Sequence, residues 1–144
     1  MPEERKLYTL GTSRRSWEDF IEILMAYGVE CVVDVRSFPK SKLEHFTRAN
    51  LEGLLTENGI EYRWLGKELG GLRKGGYADH TETELFHEGI EAVEAVASEK
   101  VTTIICSEHF PWKCHRKWIA RELQRRGWRV EHILEKDRVW VPGE

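Results

Sequence analysis

The chain reads as an α/β protein: a single-domain, three-layer sandwich with a mostly parallel sheet and helices on both faces. Three observations predict this. Short apolar, β-branched runs alternate with amphipathic stretches along the whole sequence. The runs are apolar at consecutive positions, as strands covered on both faces must be. The length, 144 residues, suits one domain able to bury about two-thirds of its unfolded surface.

Residues 6–10 form the first strand, ended by Gly11. Ser16 followed by Asp19 has the spacing of a helix cap. It opens a helix whose apolar face carries Phe20, Ile21, Leu24 and Tyr27 and which closes near Gly28. Residues 31–35 are the second strand, 47–58 a helix stopped by Gly59, and 60–65 the third strand. Residues 66–83 hold five glycines and read as a long irregular, flexible loop, of the kind that carries function. A helix over 84–98, a strand over 101–105, a helix over 114–126 ended by Gly127 and a strand over 128–134 complete the alternation. Residues 139–141 add a short edge strand. No internal repeat, low-complexity tract or linker interrupts the pattern.

Composition narrows the function classes. The chain is 40% hydrophobic and 33% charged, which marks a folded, soluble protein. A net charge of -3 supplies no overall field for nucleic acid or anionic membrane. Three cysteines do not make a secreted disulfide framework. The first ten residues lack a signal-peptide core, and no apolar run reaches the length of a membrane span, so a cytoplasmic location without a membrane partner is expected. Asn50, Asn58 and Gln124 are the only amides beside 22 basic and 25 acidic residues, a balance that suits a thermophilic source.

Right-handed crossovers bring the carboxyl ends of parallel strands to one edge, where ligands of such folds bind. Three groups are expected to converge there: Gly11 to Arg14, Asp34 to Arg36, and the run CSEHFPWKCHR from Cys106 to Arg116. In that run Cys106 is the candidate nucleophile or redox thiol, tuned by His115. Cys114 is a candidate redox partner for it. Asp34, Glu68 and Glu108 are the candidate acid/base groups. Arg36 and Arg116, with Gly11, Ser13, Gly70 and Gly71, form the expected cradle for a small anion or phosphate, Arg116 acting with the free N–H groups of its helix. Cys106, His109, Cys114 and His115 have zinc-binding side chains, but adjacent ligands at 114 and 115 strain a tetrahedral site, and no cofactor is expected. The alternative class is a non-catalytic nucleotide or nucleic-acid binding module, using Trp112, Tyr77 and the basic stripe Lys117, Arg121 and Arg125. Cys31, at the start of its strand, reads as core.

The runs YTLGTSRRSWEDFIEIL, VVDVRSFPKS and ELGGLR, with the Cys106–Arg116 run, resemble the domain-of-unknown-function 488 family, in order and over nearly the whole chain. The resemblance implies an α/β domain with motif positions at Gly11, Ser13, Asp34, Arg36, Pro39, Glu68, Gly70, Gly71, Cys106, Glu108, Cys114, His115 and Arg116. Thr12 stands where that family often has histidine. The arrangement of strand, cysteine, loop, arginine and helix also resembles rhodanese-type domains, although the loop here is longer and includes Pro111 and Trp112.

Overall fold

The computed structural model describes residues 5–142. Its strands are β1 (Lys6–Gly11), β2 (Cys31–Asp34), β3 (Glu61–Trp64), β4 (Thr102–Cys106), β5 (Arg129–Glu135) and β6 (Arg138–Trp140). Its helices are α1 (Trp17–Ala26), α2 (Arg48–Glu57), α3 (Gly66–Leu69), α4 (Tyr77–His80), α5 (Glu84–Ala97) and α6 (Arg116–Arg125). Single 3₁₀ turns sit at Glu44–Phe46 and Pro111–Lys113. The strands form one sheet in the order β3-β2-β4-β1-β5-β6, parallel except for the β5–β6 pair.

Alternation along the strands splits the core in two. Leu7, Val33, Val35, Ile104, Cys106 and Val130 pack in one cluster with Phe86, Ile90 and Val93 of α5 and Ile119 and Leu123 of α6. Leu10, Val32, Ile105 and Ile133 pack in another with Phe20, Ile23 and Leu24 of α1 and Leu51 and Leu55 of α2. Both clusters obey the period of two that places neighbouring strand residues on opposite faces. Ser16 caps α1 by accepting the Asp19 N–H at 3.0 Å. Among the described residues no helix is long and apolar enough to cross a membrane.

The segment 66–83 differs from the expected flexible loop: it contains the short helices α3 and α4 and is tied to itself. The Tyr77 hydroxyl donates to the Leu69 carbonyl at 2.8 Å, and His80 Nε2 lies 2.7 Å from the Glu68 carbonyl. Arg73 donates to the carbonyls of Gly70 and Lys67 at 2.9 and 2.6 Å. Four-residue helices are too short to show a helical period; these hydrogen bonds, and the packing of Leu69 and Tyr77 with Phe86 and Ile90 of α5, hold them. The helix expected from Cys114 begins at Arg116, which leaves Cys114 and His115 just outside it.

The topology fixes where the site lies. β4 sits between β2 and β1, so the ends of all three strands adjoin: Gly11 pairs with Cys106, and Asp34 with Ile105.

Candidate functional site

A cleft of about 740 Å³ opens at these strand ends, lined by Arg36, Gly71, Cys106, Glu108, Cys114 and His115, with Ser37, Phe38, Leu72, Tyr77, Lys113, Lys117 and Trp118 around them. At its base stand two free thiols. Cys106, the last residue of β4, is 1% exposed, and Cys114, the second residue before α6, is 9% exposed.

The thiols occupy unlike environments. The Cys114 sulfur accepts the Arg116 backbone N–H at 3.4 Å, where a capping side chain would normally sit, so it faces the positive end of α6. His115 Nδ1 lies 3.4 Å away. The other ring nitrogen, Nε2, is 2.9 Å from the Val35 carbonyl, which can only accept; Nε2 therefore carries a hydrogen and Nδ1 faces the sulfur. A hydrogen bond from Cys106 is the largest influence lowering the Cys114 pKa; burial opposes it, and the contact with His115 and the charges of His115 and Arg116 add to the pull. Cys106 moves the other way: burial and the hydrogen bond to Cys114 push its thiol up, against the charge of Arg116. The two shifts run in opposite directions and favour ionisation at Cys114, whereas the residue types alone point to Cys106 as the nucleophile.

Arg116 explains much of this asymmetry. Its side chain is fully buried, and among the described residues no carboxylate pairs with it. It donates to Thr9 Oγ1 at 2.9 Å and to the Glu108 carbonyl at 2.7 Å, while its Nε has no partner. A buried cation without a counter-ion is costly, and its charge is one of the influences that lower the Cys114 pKa. At the helix end expected to cradle an external anion, the first N–H is taken by the protein's own sulfur.

The other expected residues separate into groups. Asp34 is fully buried on the α1/α2 face, opposite the thiols. It accepts Arg36 Nε at 2.8 Å, Arg36 Nη2 at 2.6 Å and the Tyr62 hydroxyl at 2.6 Å. Arg36 also donates to the Phe46 carbonyl at 2.6 Å. Burial works against its charge, but Asp34 outweighs this and raises its pKa. The pair supports the cleft wall, and Asp34 is no exposed base. Glu68 packs beside Gly89 of α5 and does not line the cleft. Glu108 does line it, its carboxylate accepting the Phe110 N–H at 3.3 Å.

All three expected glycines are needed for close approach. A Cβ on Gly11 would stand 2.0 Å from the Glu108 carbonyl oxygen, and one on Gly71 would stand 2.7 Å from His115 Nδ1. Gly70 packs on Ser37 in the same way, and Ser13, at a φ of 48°, ties its N–H to the Ser107 carbonyl. Of these, only Gly71 lines the cleft.

His109 turns away toward Glu135 at 3.8 Å, and among the described residues no group of three or more His, Cys, Asp or Glu side chains is placed to hold a metal ion. In the basic stripe, Lys117 and Arg121 lie over the Trp118 ring, and Arg125 pairs with Glu122 at 3.5 Å. Trp112 stacks on Phe110, and Tyr77 packs against His115.

Thr9 and His132 are parts of this centre that the motifs do not show. Arg116 donates to Thr9 Oγ1, and the same hydroxyl oxygen lies 2.6 Å from His132 Nδ1, linking the three side chains in a buried chain. Burial first, then the charge of Arg116, lowers the His132 pKa to about 3. A polar residue inside each of two apolar strands is the one signal the sequence offers for them.

Fold and site together define a mostly parallel α/β protein with a cysteine–histidine pair at its strand ends. The chain belongs to the family described as domain of unknown function DUF488, whose model matches residues 16–123. That segment contains Cys106, Cys114, His115 and Arg116, while Thr9, Gly11 and His132 lie outside it. No curated protein and no solved structure gives a significant match.

Proposed function

We propose that this protein is a thiol-dependent enzyme acting on a small anionic substrate, with Cys114 as nucleophile and His115 as its proton partner. The observation that carries the reading is the position of the Cys114 sulfur, between the first N–H of α6 and His115 Nδ1. The thiolate attacks the electrophilic atom, and His115, held by the Val35 carbonyl, returns a proton from Nδ1 to the leaving group. Arg36 and Arg116 are spent on internal partners, so Lys113 and Lys117 at the rim are the cations that meet an anionic group. Phe38 and Leu72, 67% and 71% exposed, flank the cleft and suit an apolar portion of the same substrate. Free thiols suit a reducing cytoplasm, and the scarcity of amides a thermophilic source. The nucleic-acid module has less support, because Arg121 lies over the Trp118 ring and Arg125 pairs with Glu122.

Alkylation tests the reading directly. Iodoacetamide should modify Cys114, identified by peptide mass, with a rate that stays high well below the ordinary thiol pKa of about 8.5. Cys114→Ser should remove the fast reaction. A Cys114 rate that rises only near that ordinary value would overturn the assignment.

The rim can be read with a charged reagent. Iodoacetate should be favoured over iodoacetamide, relative to free cysteine, and the double variant K113Q/K117Q should lose that preference by about tenfold, as expected for two unit charges near the site. An unchanged ratio would remove the anion subsite from the proposal.

A further inference from the structure

We infer that Cys106 is a resolving thiol, and that the site reduces small disulfides through an internal Cys106–Cys114 disulfide. This rests on the reading of Cys114 as the reactive thiolate and adds to it a substrate class and a second chemical step.

Three observations carry the inference. First, both cysteines line one cleft and pack in one buried cluster, and each shifts the ionisation of the other, as neighbouring thiols do. Secondly, their exposure sets an order: an incoming disulfide meets Cys114, at 9%, before Cys106, at 1%. Thirdly, Arg116 joins both. Its backbone N–H binds the Cys114 sulfur, and its guanidinium donates to the Glu108 carbonyl at 2.7 Å, the same oxygen that lies 3.8 Å from Cys106 Sγ.

The chemistry balances without a further reagent. The Cys114 thiolate attacks one sulfur of R–S–S–R′, forming Cys114–S–S–R and releasing R′–S⁻. Cys114 is then neutral, and the buried Arg116 has lost its anion. That loss favours ionisation of Cys106, whose thiol is already pulled toward the charged form by Arg116. The proton goes to R′–S⁻. The Cys106 thiolate attacks the Cys114 sulfur, forming the internal disulfide and releasing R–S⁻. One dithiol has been oxidised and one disulfide reduced; two equivalents of an external thiol restore the dithiol by the reverse exchange and leave as their own disulfide. The negative charge thus passes from one cysteine to the other while Arg116 stays fixed between them.

Cys31 provides an internal control. It is fully buried, begins β2 beside Thr102 at the far end of β4 from Cys106, and burial raises its pKa to about 11.

The test treats the reduced full-length protein with glutathione disulfide and reads intact mass and peptide mass. Wild type should lose two hydrogens, carry no glutathione, and yield the Cys106 and Cys114 peptides joined. Cys106→Ser should instead hold one glutathione on Cys114, and Cys31→Ser should behave as wild type. Wild-type protein that retains glutathione on Cys114 with Cys106 free would overturn the inference. So would a Cys114 that alkylates rapidly at low pH yet does not react with the disulfide, which would leave the thiol-enzyme reading standing. A Cys114 inert to both reagents would overturn that reading and this one together.

Discussion

Replacing Asp34 by alanine is expected to destabilise the fold by about 3–5 kcal/mol, the usual cost of removing one partner of a buried ion pair. Asp34 is inaccessible to solvent and accepts Arg36 through two side-chain hydrogen bonds and one from its backbone N–H, plus one from Tyr62. Its removal strands the Arg36 guanidinium, itself 5% exposed, with only the Phe46 carbonyl. The Tyr62 hydroxyl loses its partner as well; its pKa is already raised, first by burial and then by the charge of Asp34. Tyr62→Phe deletes one neutral donor and should cost only about 1 kcal/mol. Urea denaturation of the two variants separates the effects. The folded fraction of the Asp34 variant should keep the wild-type pH profile of Cys114 alkylation, because Asp34 points to the α1/α2 face and the thiols to the other. A folded variant with its Cys114 profile moved to higher pH would show that Asp34 acts on the thiol after all.

That opposition of faces was present in the strand pattern. Val33, Asp34 and Val35 are successive residues of one extended run, so Asp34 must point away from its neighbours. The convergence of Gly11, Asp34 and Cys106 at one sheet edge also followed from parallel strands and right-handed crossovers, and the register bears it out. What the residue types could not show was which thiol ionises. That depends on where the first N–H of α6 points and on the ring of His115, positions decided by packing rather than spacing. Likewise the place of Arg116 at a helix start suggests a group open to an external anion, whereas its side chain is buried against Thr9 and the Glu108 carbonyl. Thr9 and His132 lie far apart in sequence, and only the pairing of β1 with β5 brings them together.

Acid should destabilise the protein through His132. The ring is 1% exposed and its Nδ1 lies 2.6 Å from Thr9 Oγ1, which also accepts from Arg116, so a second ring proton would add a buried charge beside a buried cation. Arg116 is the charge that acts on it, and Lys117 and Arg121 line the small cavity it shares with Trp112 and Trp140. Its pKa falls from 6.5 to about 3, burial being the larger cause and Arg116 the second. The unfolded chain therefore binds this proton first as pH drops. The stability it contributes is present in full above pH 6.5 and is lost progressively toward pH 3. A gap of that size corresponds to roughly 4–5 kcal/mol. Cys114, whose pKa is also lowered, tilts stability in the same direction, so the comparison belongs in a Cys114→Ser background. There, His132→Asn should flatten the dependence of unfolding free energy on pH by about one proton between those limits. Superimposable acid profiles for the two proteins would mean that His132 takes its proton in the folded state as readily as in the unfolded chain.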